Sequence, residues 1–321
     1  MTKIGLIGCG MWGQNLARNL AQLDVLAAVS DRCDSKATKF AIQFNKKNLD
    51  CDAILADPSI DGVVIATPAE SHDKLAVAAL QAGKHVYVEK PLSLTLSGAT
   101  RIANAAEKAR KRVMVGHLLL YHAAFCALQA QLSAGVIGRL RHIQANRLAM
   151  GRIRDTESVL FDLCPHDLSL ILTLAGGLPN KIHCVGSSHM TDGVVDYLSS
   201  FLGFKNGMSA GMQTSWLSPL KEHQLTVTGT TGSMVFDDTK PWPDKLTLFN
   251  DTISMKGTKF SIDRAIPVKL PVAEAEPLKD EMRAFITCCE TDRPAASDIT
   301  EALKVQIVLD HMQNALVDTN H

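Results

Sequence analysis

The chain has 321 residues, of which 46% are hydrophobic, so it is long enough for two domains that each bury a core. Its 33 lysine and arginine residues balance its 33 aspartate and glutamate residues, which argues against nucleic acid and anionic membranes as partners. No apolar run reaches the roughly 20 residues that span a bilayer, and the apolar residues 4–7 lead into a glycine-rich turn rather than a signal-peptide cleavage site, so we expect a cytoplasmic protein.

Over the first 120 residues, short β-branched runs alternate with stretches that have the spacing of helices. The predicted strands are residues 4–7, 25–30, 62–66, 85–88 and 112–115. The predicted helices are residues 14–22, 35–44, 74–82 and 97–108. This alternation predicts an α/β Rossmann domain over residues 1–119, with a doubly wound parallel sheet between two layers of helices.

The pattern changes after Gly116. The predicted elements are a helix at 123–134, a strand at 140–148, a helix at 161–175, consecutive β segments over 181–249, mainly loop with short strands over 237–277, and helices at 277–290 and 298–316. A hairpin is expected where residues 226–229 meet residues 233–236. Consecutive strands without intervening helices predict an α+β domain over residues 120–321 with an open, largely antiparallel sheet, used for substrate binding and oligomerisation.

A glycine-rich turn follows the first predicted strand and opens the first predicted helix. It reads Gly8-Cys9-Gly10-Met11-Trp12-Gly13. Three glycines at this spacing allow a tight turn, close approach of the backbone to a pyrophosphate, and close packing of the helix on the strand. Because the N-terminus of a helix favours negative charge, the turn predicts a dinucleotide cofactor. A glycine turn in a cofactor-free α/β domain is the alternative.

The strand at 25–30 leads into Asp31, whose carboxylate is expected to accept hydrogen bonds from the adenosine ribose hydroxyls. The same carboxylate would repel a 2′-phosphate, so NAD is expected rather than NADP. The guanidinium of Arg32 could accommodate such a phosphate, which leaves NADP as the less favoured cofactor.

Three further segments carry polar residues where a strand is expected to end or a helix is expected to begin. They read Ala66-Thr67-Pro68-Ala69-Glu70-Ser71-His72, Glu89-Lys90-Pro91 and Asp162-Leu163-Cys164-Pro165-His166-Asp167. Together with the glycine turn and residues 276–294, these segments resemble the glucose–fructose oxidoreductase/inositol dehydrogenase (Gfo/Idh/MocA) family over essentially the whole chain. A departure lies at residues 157–160, where many members of that family carry paired glycines.

The resemblance implies a nicotinamide-dependent oxidoreductase. Lys90 matches the family's lysine beside the nicotinamide and the substrate, and Asp162 and His166 match the pair that faces that lysine across the cofactor cleft. The residues expected to bind the cofactor are Gly8, Gly10, Met11, Trp12, Gly13, Asp31, Arg32, Thr67, Pro68, His72, Glu89 and Lys90.

Oxidation of a secondary alcohol removes a hydride and a hydroxyl proton, so the protein must supply a base and an orienting cation. His166 suits the base because the ordinary pKa of histidine, about 6.5, lies near neutral pH. Lys90 is expected to polarise the substrate oxygen and Asp162 to orient His166, with Asp167 as an accessory hydrogen-bonding group. Asp162 and His166 are expected one turn apart on a helix that begins near residues 161–162, because Pro165 is tolerated only in a first turn. Taken singly, a lysine before a proline or a histidine on a helix is more often a structural or solvated residue.

Aromatic and cationic residues suggest the substrate. Those expected to bind it are His117, Tyr121, Arg147, Trp216 and Lys221, with Arg152 and Arg154 near Arg147. Rings for sugar or base faces and cations for phosphates would suit a nucleotide-sugar. The resemblance favours a UDP-linked N-acetylated sugar or uronate oxidised at C3, and a free polyol or aldose such as inositol is the alternative. The opposing interpretation places the arginines in a solvated loop and Trp216 in the sheet core.

Other expectations concern partners. No metal site is predicted, since the eight cysteines contain no CxxC pair and the histidines lack the spacing of metal ligands. One face of an open sheet stays exposed unless helices or another subunit pack on it, so a homodimer or homotetramer is expected.

A catalytically idle NAD-binding sensor on the same fold is the alternative to an enzyme, although a sensor has no evident use for Lys90, Asp162 and His166 together.

Overall fold

Six short strands form a parallel sheet in the N-terminal part of the chain, whose structure is a computed structural model that describes residues 2–151 and 153–318. The strands are β1 (Ile4–Ile7), β2 (Leu26–Ser30), β3 (Lys47–Asn48), β4 (Gly62–Ile65), β5 (His85–Val88) and β6 (Val113–Val115). Their order is β3-β2-β1-β4-β5-β6, and every pair is parallel. This is the doubly wound order of dinucleotide-binding domains, so the predicted Rossmann sheet is confirmed.

Helices cover both faces of this sheet. They are α1 (Met11–Gln22), α2 (Asp34–Phe44), α3 (Cys51–Ala56), α4 (His72–Gln81) and α5 (Leu96–Ala109). One apolar cluster includes Leu16 of α1 and Phe40 of α2, and a second includes Leu80 of α4 and Ile102 of α5. The four predicted helices are confirmed with small shifts at their ends. Two elements, β3 and α3, were not predicted because they are only two and six residues long.

A second, nine-stranded sheet follows. Its strands are β7 (His142–Met150), β8 (Lys181–Ser187), β9 (Tyr197–Gly203), β10 (Ser209–Ser215), β11 (Leu217–Thr228), β12 (Ser233–Asp237), β13 (Leu246–Phe249), β16 (Val268–Lys269) and β17 (Leu316–Asp318), while β14 (Thr252–Lys256) and β15 (Lys259–Asp263) form a separate hairpin. The order is β16-β13-β12-β11-β7-β10-β9-β8-β17. Among the described residues of this sheet, only the pairs β7–β10 and β8–β17 are parallel, so the largely antiparallel sheet is confirmed. The predicted hairpin is confirmed by β11 and β12, in which Thr226 pairs with Val235.

The helices of this region are α6 (Ala123–Ser133), α7 (Val159–Asp162) and α8 (Cys164–Ala175). The single helix predicted from residue 161 was wrong, because the chain forms two helices that meet at Leu163. Leu163 has φ −110° and ψ −41°, and Pro165, which lacks a backbone N–H, lies in the first turn of α8. Asp162 therefore ends one helix, and His166 lies in the first turn of the next.

Two helices, α9 (Pro277–Thr291) and α10 (Ile299–Ala315), precede the short strand β17. The structure divides into two units, of which the first contains the residues through Tyr121 together with Glu276–Ile307, and the second contains His122–Ala275 and the residues from Val308 onward. The sequence boundary at 119/120 had assigned residues 276–307 to the second domain. They belong to the first unit because Met282 and Phe285 of α9 are buried in the same apolar cluster as Leu16.

Arg152, one of the predicted phosphate-binding arginines, lies outside the described residues. Within residues 2–151 and 153–318, no helix combines the length and the apolar character needed to cross a membrane.

Candidate active site

The glycine turn connects β1 to α1, and its three glycines serve different purposes. Gly8 has φ +110°, and a Cβ there would lie 2.5 Å from the carbonyl oxygen of Ala66. A Cβ on Gly13 would lie 2.1 Å from the carbonyl oxygen of Gly8. At Gly10, in contrast, a Cβ would meet no protein atom within 4 Å. Packing therefore requires the first and third glycines, whereas the second leaves open space at the N-terminus of α1, where a pyrophosphate fits.

Asp31 is held in place directly after β2. Its Oδ2 accepts the backbone N–H of Cys9 at 2.7 Å, and its Oδ1 accepts the backbone N–H of Cys33 at 2.8 Å. The first bond joins Asp31 to the glycine turn, so the carboxylate lies beside the predicted pyrophosphate site. The neighbouring Arg32 is exposed.

Glu89 follows β5, and its buried carboxylate receives three hydrogen bonds. Its Oε1 accepts the indole N–H of Trp12 at 2.6 Å and the hydroxyl of Tyr87 at 2.9 Å, and its Oε2 accepts the backbone N–H of Lys90 at 3.2 Å. Gly116 allows this packing, because a Cβ there would lie 2.7 Å from the Tyr87 hydroxyl and 2.9 Å from Glu89 Oε2. Glu89 therefore ties the first turn of α1 to the backbone of Lys90, which is itself half-buried.

His72, at the start of α4, joins two loops of the same site. Its Nδ1 lies 2.8 Å from the carbonyl oxygen of Pro91, and its Nε2 lies 2.9 Å from the carbonyl oxygen of Thr67. Burial lowers the pKa of His72, an effect that the two carbonyls oppose. Thr67 is also held through its hydroxyl oxygen, which lies 2.7 Å from the hydroxyl oxygen of Ser71. The loops that follow β4 and β5 are thus fixed by one imidazole ring.

His117 and Tyr121, expected to bind substrate, make contacts with the closing segment of the first unit. Nδ1 of the buried His117 lies 2.6 Å from Oε2 of Glu301 on α10. The Tyr121 hydroxyl lies 3.0 Å from the hydroxyl of Ser297, and burial raises the pKa of this phenol. Both side chains are therefore held in place by residues that lie about 180 positions away in sequence.

In the second unit, Asp162 is buried and His166 is half-buried. Oδ1 of Asp162 accepts from Arg154 Nη2 at 2.8 Å, and its Oδ2 accepts from the indole N–H of Trp216 at 3.2 Å. Trp216, expected to stack on substrate, is only 2% exposed. The structure thus gives this ring a contact with Asp162 within the second unit, in agreement with the opposing interpretation that placed Trp216 in the core.

Arg147, expected to contact phosphate, is also buried. Its Nε and Nη2 donate to the two carboxylate oxygens of Asp167 at 2.9 and 2.8 Å, because a buried guanidinium needs a paired anion. A period-two pattern could have shown this, since Ile143, Ala145 and Arg147 share one face of β7 and all three are buried. Lys221 is exposed on β11, where the pairing with β7 is irregular between Leu217 and Glu222.

Sequence reasoning missed the residues that α9, α10 and the segment between them bring to this site. Glu281, Ser297 and Glu301 contact Tyr87, Tyr121 and His117, respectively. No local motif marks them, because each is recognised only once the closing segment is seen to pack in the first unit. Among residues 2–151 and 153–318, no group of three or more histidine, cysteine, aspartate or glutamate side chains is arranged to hold a metal ion.

Comparison with known proteins gives matches over both parts of the chain. Over nearly its full length the chain is similar to UDP-N-acetylglucosamine 3-dehydrogenase of Acidithiobacillus ferrooxidans, with 26% identity across 96% of this chain and 97% of that relative. A solved structure of the Acidithiobacillus ferrooxidans enzyme matches with a TM-score of 0.85 at 25% identity, over 98% of this chain and 97% of the other. Inositol 2-dehydrogenase of Acidothermus cellulolyticus is 35% identical over 53% of this chain and 52% of the relative.

Two family models match the sequence. The first, described as an oxidoreductase family with an NAD-binding Rossmann fold, covers residues 2–117. The second, the GFO/IDH/MocA C-terminal domain, covers residues 125–235. Since these matches span most of the chain and agree with the two sheets and the glycine cradle, the protein belongs to the Gfo/Idh/MocA family of oxidoreductases.

Proposed function

We propose that this protein is an NAD-dependent dehydrogenase that oxidises a secondary alcohol of a sugar, with Lys90 and His166 as its catalytic residues. The observation that carries the proposal is the 2.6 Å hydrogen bond between Trp12 and Glu89. It ties the glycine cradle of the cofactor to the residue that precedes Lys90. A lysine fixed in this way differs from the solvated loop lysine that its sequence context alone would suggest.

The cofactor preference follows from Asp31. Its carboxylate faces the glycine turn through Cys9, where the adenosine ribose is expected, and a carboxylate favours ribose hydroxyls over a 2′-phosphate. Arg32 is exposed and offers the opposing positive charge. We therefore expect a higher kcat/KM with NAD than with NADP, and we expect Asp31→Ser to bring the two values of kcat/KM closer together. If the preference for NAD were the same in Asp31→Ser as in the wild type, the role of this carboxylate would be contradicted.

The proposed chemistry needs two side chains besides the cofactor. The nicotinamide, when bound, supplies the hydride acceptor. The ammonium group of Lys90 polarises the substrate oxygen and stabilises the negative charge that develops on it. His166 takes the hydroxyl proton. Asp162, whose carboxylate accepts hydrogen bonds from Arg154 and Trp216, is the residue that we assign to orient His166.

Two substrate classes are supported to different extents. The similarity to UDP-N-acetylglucosamine 3-dehydrogenase spans 96% of this chain at 26% identity, and the similarity to scyllo-inositol 2-dehydrogenase of Bacillus subtilis spans 95% at 24% identity. The slightly higher identity of the first match favours a UDP-linked N-acetylated sugar or uronate, oxidised at C3, as the substrate. A free polyol or aldose is the second candidate. Lys221, exposed on β11, is the cation that we assign to the substrate phosphates.

The test measures reduction of NAD and NADP by absorbance with UDP-sugars and free polyols. We expect one substrate class to give turnover, and we expect Lys90→Ala and His166→Ala to lower kcat by a factor on the order of 100 or more. Lys108→Ala and His311→Ala are matched controls, because both side chains are exposed on helices. Tight NAD binding without turnover on any substrate would favour the sensor instead. Turnover that survives Lys90→Ala would contradict the catalytic assignment.

The open face of the nine-stranded sheet is proposed as the contact between subunits. On β8 and β9, Leu198 and Leu202 point to the buried face, whereas Val185, Tyr197 and Phe201 are 47%, 37% and 45% exposed. Apolar side chains on an otherwise open sheet face favour association with a second copy. A homodimer or homotetramer is therefore expected.

A further inference from the structure

The buried hydroxyl of Tyr87 lies between two carboxyl groups. Its oxygen is 2.9 Å from Oε1 of Glu89 and 3.1 Å from Oε2 of Glu281. Glu281 is on α9 and is completely buried. A tyrosine hydroxyl has one proton, and an ionised carboxylate has none to donate. Two separate two-centre hydrogen bonds at this oxygen require that one of the two carboxyl groups carries a proton.

The surroundings of the two carboxyl groups differ. Glu89 accepts hydrogen bonds from Trp12, Tyr87 and the backbone of Lys90, which together suit a negative charge. Among the described residues, only the Tyr87 hydroxyl forms a hydrogen bond with the Glu281 carboxyl group, at Oε2, and none forms one with Oε1. Burial raises the pKa of both carboxyl groups, but the hydrogen bonds from Trp12 and Tyr87 and the nearby Lys90 oppose this effect at Glu89. At Glu281, the negative charge of Glu89 adds to the effect of burial and raises the pKa well above its ordinary value. The proton therefore belongs to Glu281.

We propose that Glu281 is a neutral carboxylic acid at physiological pH and a positioning residue for the cofactor site. Its proton is donated to the Tyr87 oxygen, and the Tyr87 proton is donated to Glu89. This chain of hydrogen bonds holds Glu89 as the anion that fixes the indole of Trp12 and the backbone of Lys90. The functional meaning of this role rests on the proposed dehydrogenase function, whereas the protonation state of Glu281 does not.

Infrared difference spectroscopy tests the protonation state directly. At pH 8 we expect the C=O stretch of a protonated carboxyl group in the wild-type protein, and we expect Glu281→Gln to remove it. Glu290→Gln, on an exposed position of the same helix, should retain the band. If Glu281→Gln does not fold, a shift of the band in Glu281→Asp would equally assign the band to the side chain at this position. A wild-type spectrum without the band, or a band that survives unchanged in Glu281→Gln or Glu281→Asp, would overturn the proposal.

The pH dependence of stability provides a second readout. An acid whose pKa is higher in the folded chain than in the unfolded chain binds a proton on folding, so stability falls as pH rises between the two values. Above about pH 5, the folding equilibrium constant of the wild type should therefore fall by about tenfold for each unit that the pH rises, when it is compared with that of Glu281→Gln. Equal pH dependence of the two proteins would contradict a neutral Glu281.

The positioning role is tested by fluorescence titration with NADH. Glu281→Gln keeps a neutral donor and should bind within about twofold of the wild type, whereas Glu281→Leu has no donor and should bind about tenfold more weakly. Equal affinities of the two variants would refute the positioning role. Failure to oxidise any sugar would refute the proposed function alone, because neither the infrared band nor the pH dependence requires turnover.

Discussion

Arg147 and Asp167 form an ion pair in the second unit, in which two parallel hydrogen bonds of 2.9 and 2.8 Å join side chains that are both buried. Removing one partner of such a pair leaves the other charge buried without a counter-charge. We expect Arg147→Ala to lower the free energy of unfolding by about 3–5 kcal/mol in denaturant titrations. The double variant Arg147→Met/Asp167→Leu should recover most of that loss, because it removes both charges. A loss below about 1 kcal/mol in Arg147→Ala would mean that water reaches this pair.

Trp12 is expected to matter for cofactor binding through its indole N–H. Trp12→Phe keeps a large aromatic ring but removes the donor to Glu89, which is a charge-assisted bond. We expect the Kd for NADH to rise about tenfold while the unfolding transition stays close to that of the wild type. Ile42→Val, at an exposed apolar position of α2 in the same unit, serves as the control. Unchanged affinity in Trp12→Phe would show that the bond does not organise the cofactor loop.

His223 gives the second unit a predicted dependence on pH. Burial, together with the positive charges of Arg147 and Lys221, lowers the pKa of His223 to about 4, against the opposing charges of Asp167 and Asp238. Between pH 6.5 and about 4 the unfolded chain binds a proton at this position and the folded chain does not. The stability associated with His223 is therefore present above pH 6.5 and is lost as pH falls through this window.

The measurement is a series of denaturant titrations across that range. His223→Gln should flatten the decline in unfolding free energy, and His183→Gln, on an exposed position of β8, should leave it unchanged. If the unfolding free energy of His223→Gln falls as steeply with decreasing pH as that of the wild type, His223 is not the group responsible.

The open face of the nine-stranded sheet predicts the oligomeric state. Phe201→Glu places a charge in the middle of the exposed apolar side chains and should convert a dimer or tetramer to smaller species in light scattering. Ile42→Glu makes the same change at an exposed apolar position of the first unit and should leave the assembly intact. A wild-type protein that is already a monomer would refute this use of the sheet.

The sequence alone was sufficient for the Rossmann sheet, the glycine turn, the position of Asp31 and the hairpin of β11 and β12. Each of these depends on signals within a few residues: buried β-branched runs, glycines at a turn, and the length of a loop. The break between α7 and α8 was also encoded locally by Pro165, yet its position differed by two or three residues from the expected helix start.

The tertiary structure alone decided which side chains support the site. Tyr87 and Glu281 are 194 positions apart, and His117 and Glu301 are 184 apart. No periodic pattern or local motif in the sequence marks such contacts, because they form only when the closing helices pack in the first unit. Burial likewise changed the meaning of Arg147 and Trp216, since a charged or polar group removed from water must find its partner within the protein. The sequence thus determined where the cofactor loop lies along the chain, and packing determined which distant residues hold it in place.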